Sequence, residues 1–236
     1  GGCSQSLDDT DGKIRTTIWD GLKNGTKPID ILKSIKQFDP SWDLRQIGIV
    51  DMKGRAQTYT GTSCWPYASG RTGQSGTITY SIQGNVLTGA PVVDLAEQAI
   101  LNTSGDVAEK LMAAMEAAQS MGGDGRCSCN PSAPDSCGSP PPGFDPKKDK
   151  AAHIGFMMVS RIGDSDGHCD AGGCSDGTYF LNLNISFQTK SDPDPVVQMR
   201  GLFDAWRAAQ IGRPDQILST KSVTPDHVPG NGTATA

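Results

Sequence analysis

The sequence predicts an α+β fold in which helices cover both sides of a stack of antiparallel strands. Two observations carry that prediction. Apolar residues recur at helical spacing in paired segments, and between those pairs they alternate with polar residues. The resulting order is helix-helix, three strands, helix-helix, two strands, helix.

Residues 12–24 place Ile14, Ile18, Trp19 and Leu22 at helical spacing, after an acidic start and before an Asn-Gly stop. A second helix opens with Pro28 at its first position and carries Ile29, Leu32, Ile35 and Lys36 along one face. LRQIGIVD (44–51), MKG and RAQTYTG (55–61) read as a hairpin. A third strand, 77–85, sets Ile78, Tyr80 and Ile82 on one face and Thr77, Thr79 and Ser81 on the other. Helices follow at 91–101 and, after a Ser104-Gly105-Asp106 cap, at 106–120. In the latter, Val107, Leu111, Met115 and Ala118 form a stripe expected in the core. Residues 153–163 and 177–187 are expected strands, and 194–210 an amphipathic helix with Val196, Val197, Met199, Leu202, Phe203 and Trp206.

At 236 residues the chain suffices for one domain, expected over 1–211. Two loops rich in cysteine interrupt it, at 122–150 and 164–176, and a polar tail with several prolines occupies 212–236. The formal charge is −5 and the basic residues are dispersed, which argues against a nucleic-acid partner. No apolar run reaches the roughly 20 residues of a membrane span. The chain opens Gly-Gly-Cys rather than with Met, so an upstream segment is expected.

The seven cysteines are Cys3, Cys64, Cys127, Cys129, Cys137, Cys169 and Cys174. Their setting among Gly, Ser, Pro and Asp favours disulfides in an oxidising compartment over a metal site. Asp164–Asp170 resembles part of a calcium loop, but Ser175 stands where a bidentate Glu belongs, so no metal is assigned. Sequons at Asn24, Asn102, Asn184 and Asn231 agree with an extracellular or cell-surface location. No cofactor is implied.

Several separated segments go further: RQIGIVD with GRAQTYTG, Cys64 in TSCW, SIQGNVLTG, AEKLMAAMEAAQSMGGDGRC, and YFLNLNISF followed by DPVVQMRGLFDAWRA. Together, from residue 1 to about 210, they resemble a family of unknown function placed among the N-terminal-nucleophile hydrolases. The resemblance implies a four-layer αββα sandwich and amide-bond hydrolysis by a Thr, Ser or Cys at a chain start. It also implies an opening pair of strands without a counterpart here, with CSQS leading from that pair into the first helix. A separate chain could supply those strands.

The candidate catalytic residues are Cys3, Gln83, Asn85, Asp124 and Arg126. Cys3 is either a nucleophile freed by cleavage after Gly2 or half of a disulfide, with Cys64 the preferred partner. Gln83 and Asn85 end a strand, where side-chain amides can orient a substrate; the alternative is that Gly84-Asn85 only turns the chain. Asp124 and Arg126 sit beside a glycine pair, where Arg126 could hold a carboxylate or the segment could simply cap a helix. His153 and His168 are isolated in the sequence. Two functions are therefore expected from this reading: a secreted amidohydrolase, or a non-catalytic extracellular subunit that self-assembles as a homo-oligomer or polymer through an open strand edge.

Overall fold

The computed structural model describes residues 1–5, 7, 9–164, 169–170, 173–174, 177–186 and 188–211, with the backbone alone at 169–170, 173–174 and 211. The expected tail with Asn231, the thiols of Cys169 and Cys174, His168 and the calcium-like residues 165–168 lie outside that description. Chain order is β1 (Gly2–Gln5), α1 (Lys13–Lys23), α2 (Pro28–Phe38), β2 (Gln46–Val50), β3 (Ala56–Thr60), β4 (Ser69–Ser75) and β5 (Ile78–Gly84). It continues with α3 (Pro91–Asn102), α4 (Val107–Ser120), α5 (Gly125–Ser128), β6 (Gly155–Val159), β7 (Cys169–Asp170), β8 (Gly173–Cys174), β9 (Leu181–Ile185) and α6 (Pro195–Ile211). The described strands pair antiparallel in small sheets, β1-β2-β3, β4-β5, β6-β9 and β7-β8.

Alternation along β2 decides what lies on each side of the first sheet. Ile47 and Ile49, both fully buried, join Ile14, Ile18, Ile31, Leu32 and Ile35 from α1 and α2 in one apolar cluster. Each such side chain contributes about 1.5–3 kcal/mol by leaving water. On the opposite face, Gln46 Nε2 reaches the Ser69 and Gly84 carbonyls at the ends of the β4-β5 hairpin, 3.1 and 2.9 Å away. Tyr80, on the far side of that hairpin, donates its hydroxyl to Glu97 of α3 at 2.8 Å. A second cluster joins Met112 of α4, Met157, Leu181 and Leu183 of β6 and β9, and Met199, Phe203 and Trp206 of α6.

Helix starts follow from their caps. The Asp9 carboxylate accepts from the Ile14 and Arg15 N–H groups, and Asp106 accepts from Glu109 N–H at 3.0 Å. Asp194 is 3% exposed and serves two segments: it accepts from Val196 N–H at the start of α6 and from Ala151 and Ala152 N–H.

The structure corrects several expectations. Residues 2–5 do not merely lead into α1; they form an edge strand in register with β2. Strand β4, SGRTGQS, has no apolar alternation to announce it and is held by pairing with β5. Ile29 is exposed, and Ile31 takes its place in the buried face of α2. In α4 the buried positions are Ala108, Met112 and Gln119, whereas Val107 is 43% exposed.

Among the described residues one bridge forms, Cys129–Cys137. Cys3 and Cys64 are not joined, because Cys3 Sγ faces Gln83 while Cys64 Sγ donates to the Leu44 and Arg45 carbonyls. Cys127 also keeps its thiol, one turn along α5 from Asp124.

Candidate functional site

A cavity of about 700 Å³ opens between the first sheet, the hairpin, α3, α4 and β6. Six consecutive residues of β5, Ile78–Gln83, line it. A strand face presents every second residue, so consecutive lining means that the cavity runs along the β5 edge not paired with β4. Gly2 and Cys3 of β1, with Gly1 just before them, line it in the same consecutive way. The opposite wall is apolar: the α4 stripe Val107, Leu111, Met115 and Ala118 lines it, with Leu111 and Met115 also packed against the second core cluster and Ala118 against the Leu87, Val92 and Val93 cluster, while Val107 is exposed. Phe156 and Met158 of β6, 62% and 44% exposed, complete it.

The polar end gathers Cys3, Ser81 and Gln83. Gln83 Nε2 donates to Cys3 Sγ at 2.8 Å, and Ser81 Oγ donates to Gln83 Oε1 at 3.3 Å. Gly48, the register partner of Cys3, makes this possible: a Cβ there would stand 2.1 Å from Gln83 Oε1. Cys3 counts as exposed, but the surface it exposes opens into the cavity it lines. Burial raises its thiol pKa above the ordinary cysteine value, against the opposing pull of bonds from Gly48 N–H and Gln83. The thiol is therefore protonated at neutral pH. Among the described residues, no Asp, Glu or His lines the cavity. Lys110, which also lines it, donates to the Ile100 and Thr103 carbonyls at the end of α3.

Of the residues singled out in the sequence, Cys3 and Gln83 meet in this cavity, whereas Asn85, Asp124 and Arg126 do not line it. Asp124 caps α5 and holds Arg126 through Nη2 at 2.6 Å and Nε at 3.0 and 3.2 Å. That loop joins the end of β5 by backbone bonds: Gly125 N–H donates to Val86 and Thr88 N–H to Gly123. Val86 is buried with φ +58°, a conformation that a β-branched residue rarely adopts. Sequence reasoning missed Ser81, the α4 wall and the β6 wall; β6, FMMV, is apolar on both faces, the one signal that could have marked it. It also missed Asp124, Cys127 and His153 as a group, since His153 is far from the others in the chain. Burial, with the Asp124 charge second, pushes the Cys127 thiol up to about 12. Asn24, Asn102 and Asn184 are exposed.

Fold and site together define a mixed α+β protein of small antiparallel sheets, with a largely apolar cavity along the edges of β1 and β5. A family model described as "Family of unknown function (DUF1028)" matches residues 2–133, and the chain belongs to that family. The crystal structure of protein SPO2555 from Silicibacter pomeroyi, of the same family, is similar at 21% identity with a TM-score of 0.43. That likeness covers 50% of this chain and 52% of that one, so the match spans about half the length of either protein. No curated protein matches the chain. Among the described residues, no helix is long and apolar enough to cross a membrane.

Proposed function

We propose that the chain is a secreted protein of N-terminal-nucleophile-hydrolase-like αββα architecture, acting on an amide or peptide-like bond held in the cavity. The observation that carries this reading is the Cys3–Gln83 contact at the polar end of an otherwise apolar space. Helices on the outer face of the first sheet, and α3 on the outer face of the hairpin, accord with the layered architecture. The Cys129–Cys137 bridge and the exposed sequons support the extracellular assignment.

An uncharged amide suits the lining. Its backbone groups would pair with the free N–H and C=O groups of the β5 edge, and its apolar substituent would lie along the α4 stripe. Its carbonyl would sit beside Cys3, within reach of the Gln83 amide and the Ser81 hydroxyl. Attack by Cys3 requires the thiolate. With no carboxylate or imidazole among the described lining residues, turnover should climb with pH toward the raised thiol value.

The test is a panel of aminomethylcoumarin amides of apolar acyl groups and apolar dipeptides, assayed from pH 7 to 10. Release that rises with pH and disappears in Cys3→Ala supports the proposal. Release that persists in Cys3→Ala moves the chemistry elsewhere.

A second reading has its own observation: the edges of β1 and β5 left unpaired among the described strands lie beside the exposed Phe156 and Met158, a surface suited to strand addition by another copy. Here the chain is a non-catalytic subunit that self-assembles. Sedimentation of wild type against Phe156→Lys separates the readings, since assembly through this surface would be lost in the variant.

A further inference from the structure

The most developed cluster outside the cavity is formed by Asp124, Cys127 and His153, each of which offers one ligand atom within 4.8 Å of the other two. We infer that these three side chains form a zinc site with an open coordination position. A thiolate, an imidazole and a carboxylate are the three ligand types that Zn²⁺ takes, and three protein ligands leave its fourth position for water or a bound molecule. Around a tetrahedral zinc, ligand atoms lie about 3.3–3.7 Å apart. His153 Nε2 stands 3.9 Å from Asp124 Oδ2, so only a small inward movement is needed, and the exposed His153 side chain is free to make it.

The frame is fixed by the backbone. Asp124 caps α5 and Cys127 lies one turn on, its N–H donating to the Asp124 carbonyl at 3.0 Å. Asp124 N–H in turn donates to the Ala151 carbonyl at 2.8 Å, which sets the segment carrying His153 beside the helix. Gly125 packs so closely that a Cβ would stand 2.0 Å from the Pro134 carbonyl, leaving this turn little room to shift. Arg126 grips the same carboxylate, and an ionised carboxylate has acceptor sites for both a guanidinium and a metal. Arg126 is thus a positioning residue that orients Asp124. Cys127 is available because its neighbours Cys129 and Cys137 pair with each other. On binding, the Cys127 S–H bond gives its proton to solvent and the sulfur pair passes to the metal.

The test uses the full chain, freed of metal with a chelator and titrated with zinc chloride against a chromophoric zinc indicator, and separately with cobalt chloride. One zinc per chain is expected, with affinity at least about tenfold weaker in either Cys127→Ser or His153→Ala, since each removes one of three ligands. Cobalt should give a thiolate-to-metal charge-transfer absorption that Cys127→Ser abolishes. His153 is exposed, so its removal should leave the fold intact, which circular dichroism checks. Zinc bound equally by wild type and His153→Ala, or no zinc bound by wild type, overturns the inference. Neither result bears on amide turnover at Cys3.

Discussion

The Gln83 amide lies where a side chain on Gly48 would be: a Cβ at position 48 would stand 2.1 Å from Gln83 Oε1 and 2.6 Å from Nε2. A glycine on the inner face of β2 is therefore what lets an amide from the hairpin reach Cys3. Gly48→Ala should leave overall stability within about 1 kcal/mol of wild type, because the better strand propensity of Ala offsets part of the displacement. The same substitution in a Gln83→Ala background should be more favourable, the obstacle having gone. A double-mutant cycle by urea denaturation measures the difference, and strict additivity would contradict the contact.

Gln83 also tunes the thiol. Its N–H favours the ionised sulfur, so Gln83→Met should move the Cys3 pKa further above the ordinary cysteine value. Alkylation by iodoacetamide, followed at Cys3 by peptide mass, should then reach half its limiting rate at a higher pH in the variant. A lower midpoint would show that Gln83 does not stabilise the thiolate.

Tyr80 gives a stability signature at high pH. Burial, then the hydrogen bond to Glu97, pushes its phenol up to about 12 from an ordinary value of 10. The folded-state pKa is raised, so this contribution is complete below pH 10 and is lost as pH rises toward 12. Wild type should lose more stability than Tyr80→Phe between pH 9 and 11.5 in parallel denaturant titrations. Equal losses would place the phenol in water.

Asp194 ties the α6 start to the segment after the long loop through three backbone N–H groups. Asp194→Ala leaves those donors short of partners in a buried setting and should cost about 3 kcal/mol. Thermal unfolding reads this directly. A change below about 1 kcal/mol would mean that water replaces the carboxylate there.

Much of the fold was legible where periodicity was strong. The spacing of Ile14 and Ile18 predicted α1 with the face it buries, and the alternation of Ile78, Tyr80 and Ile82 against Thr79 and Ser81 predicted β5, where Tyr80 is the buried member of its face. Strand β4 was not legible, because Gly70 and Gly73 admit close neighbours rather than announce a pattern. The α4 stripe shows the main limit. Val107, Leu111 and Met115 have the spacing of core residues, and a cavity wall needs that same spacing, so the sequence could not separate the two. At the site, Cys3 and Gln83 were both singled out, but their meeting depends on sheet packing across 80 residues of chain. The group of Asp124, Cys127 and His153 was hidden for the same reason: Asp124 and Cys127 are one turn apart, but His153 is brought beside them by the Asp124–Ala151 backbone bond and not by spacing.

The central claim is that an uncharged amide binds and is cleaved in the cavity between Cys3 and the α4 wall. Its most direct measurement is coumarin release from the apolar amide panel by wild type and by Ala114→Phe, a substitution that fills the cavity and leaves Cys3 and Gln83 untouched. The account predicts release by wild type and at least about a tenfold loss in the variant. Equal release by both proteins, or none from any amide at any pH from 7 to 10, would contradict it.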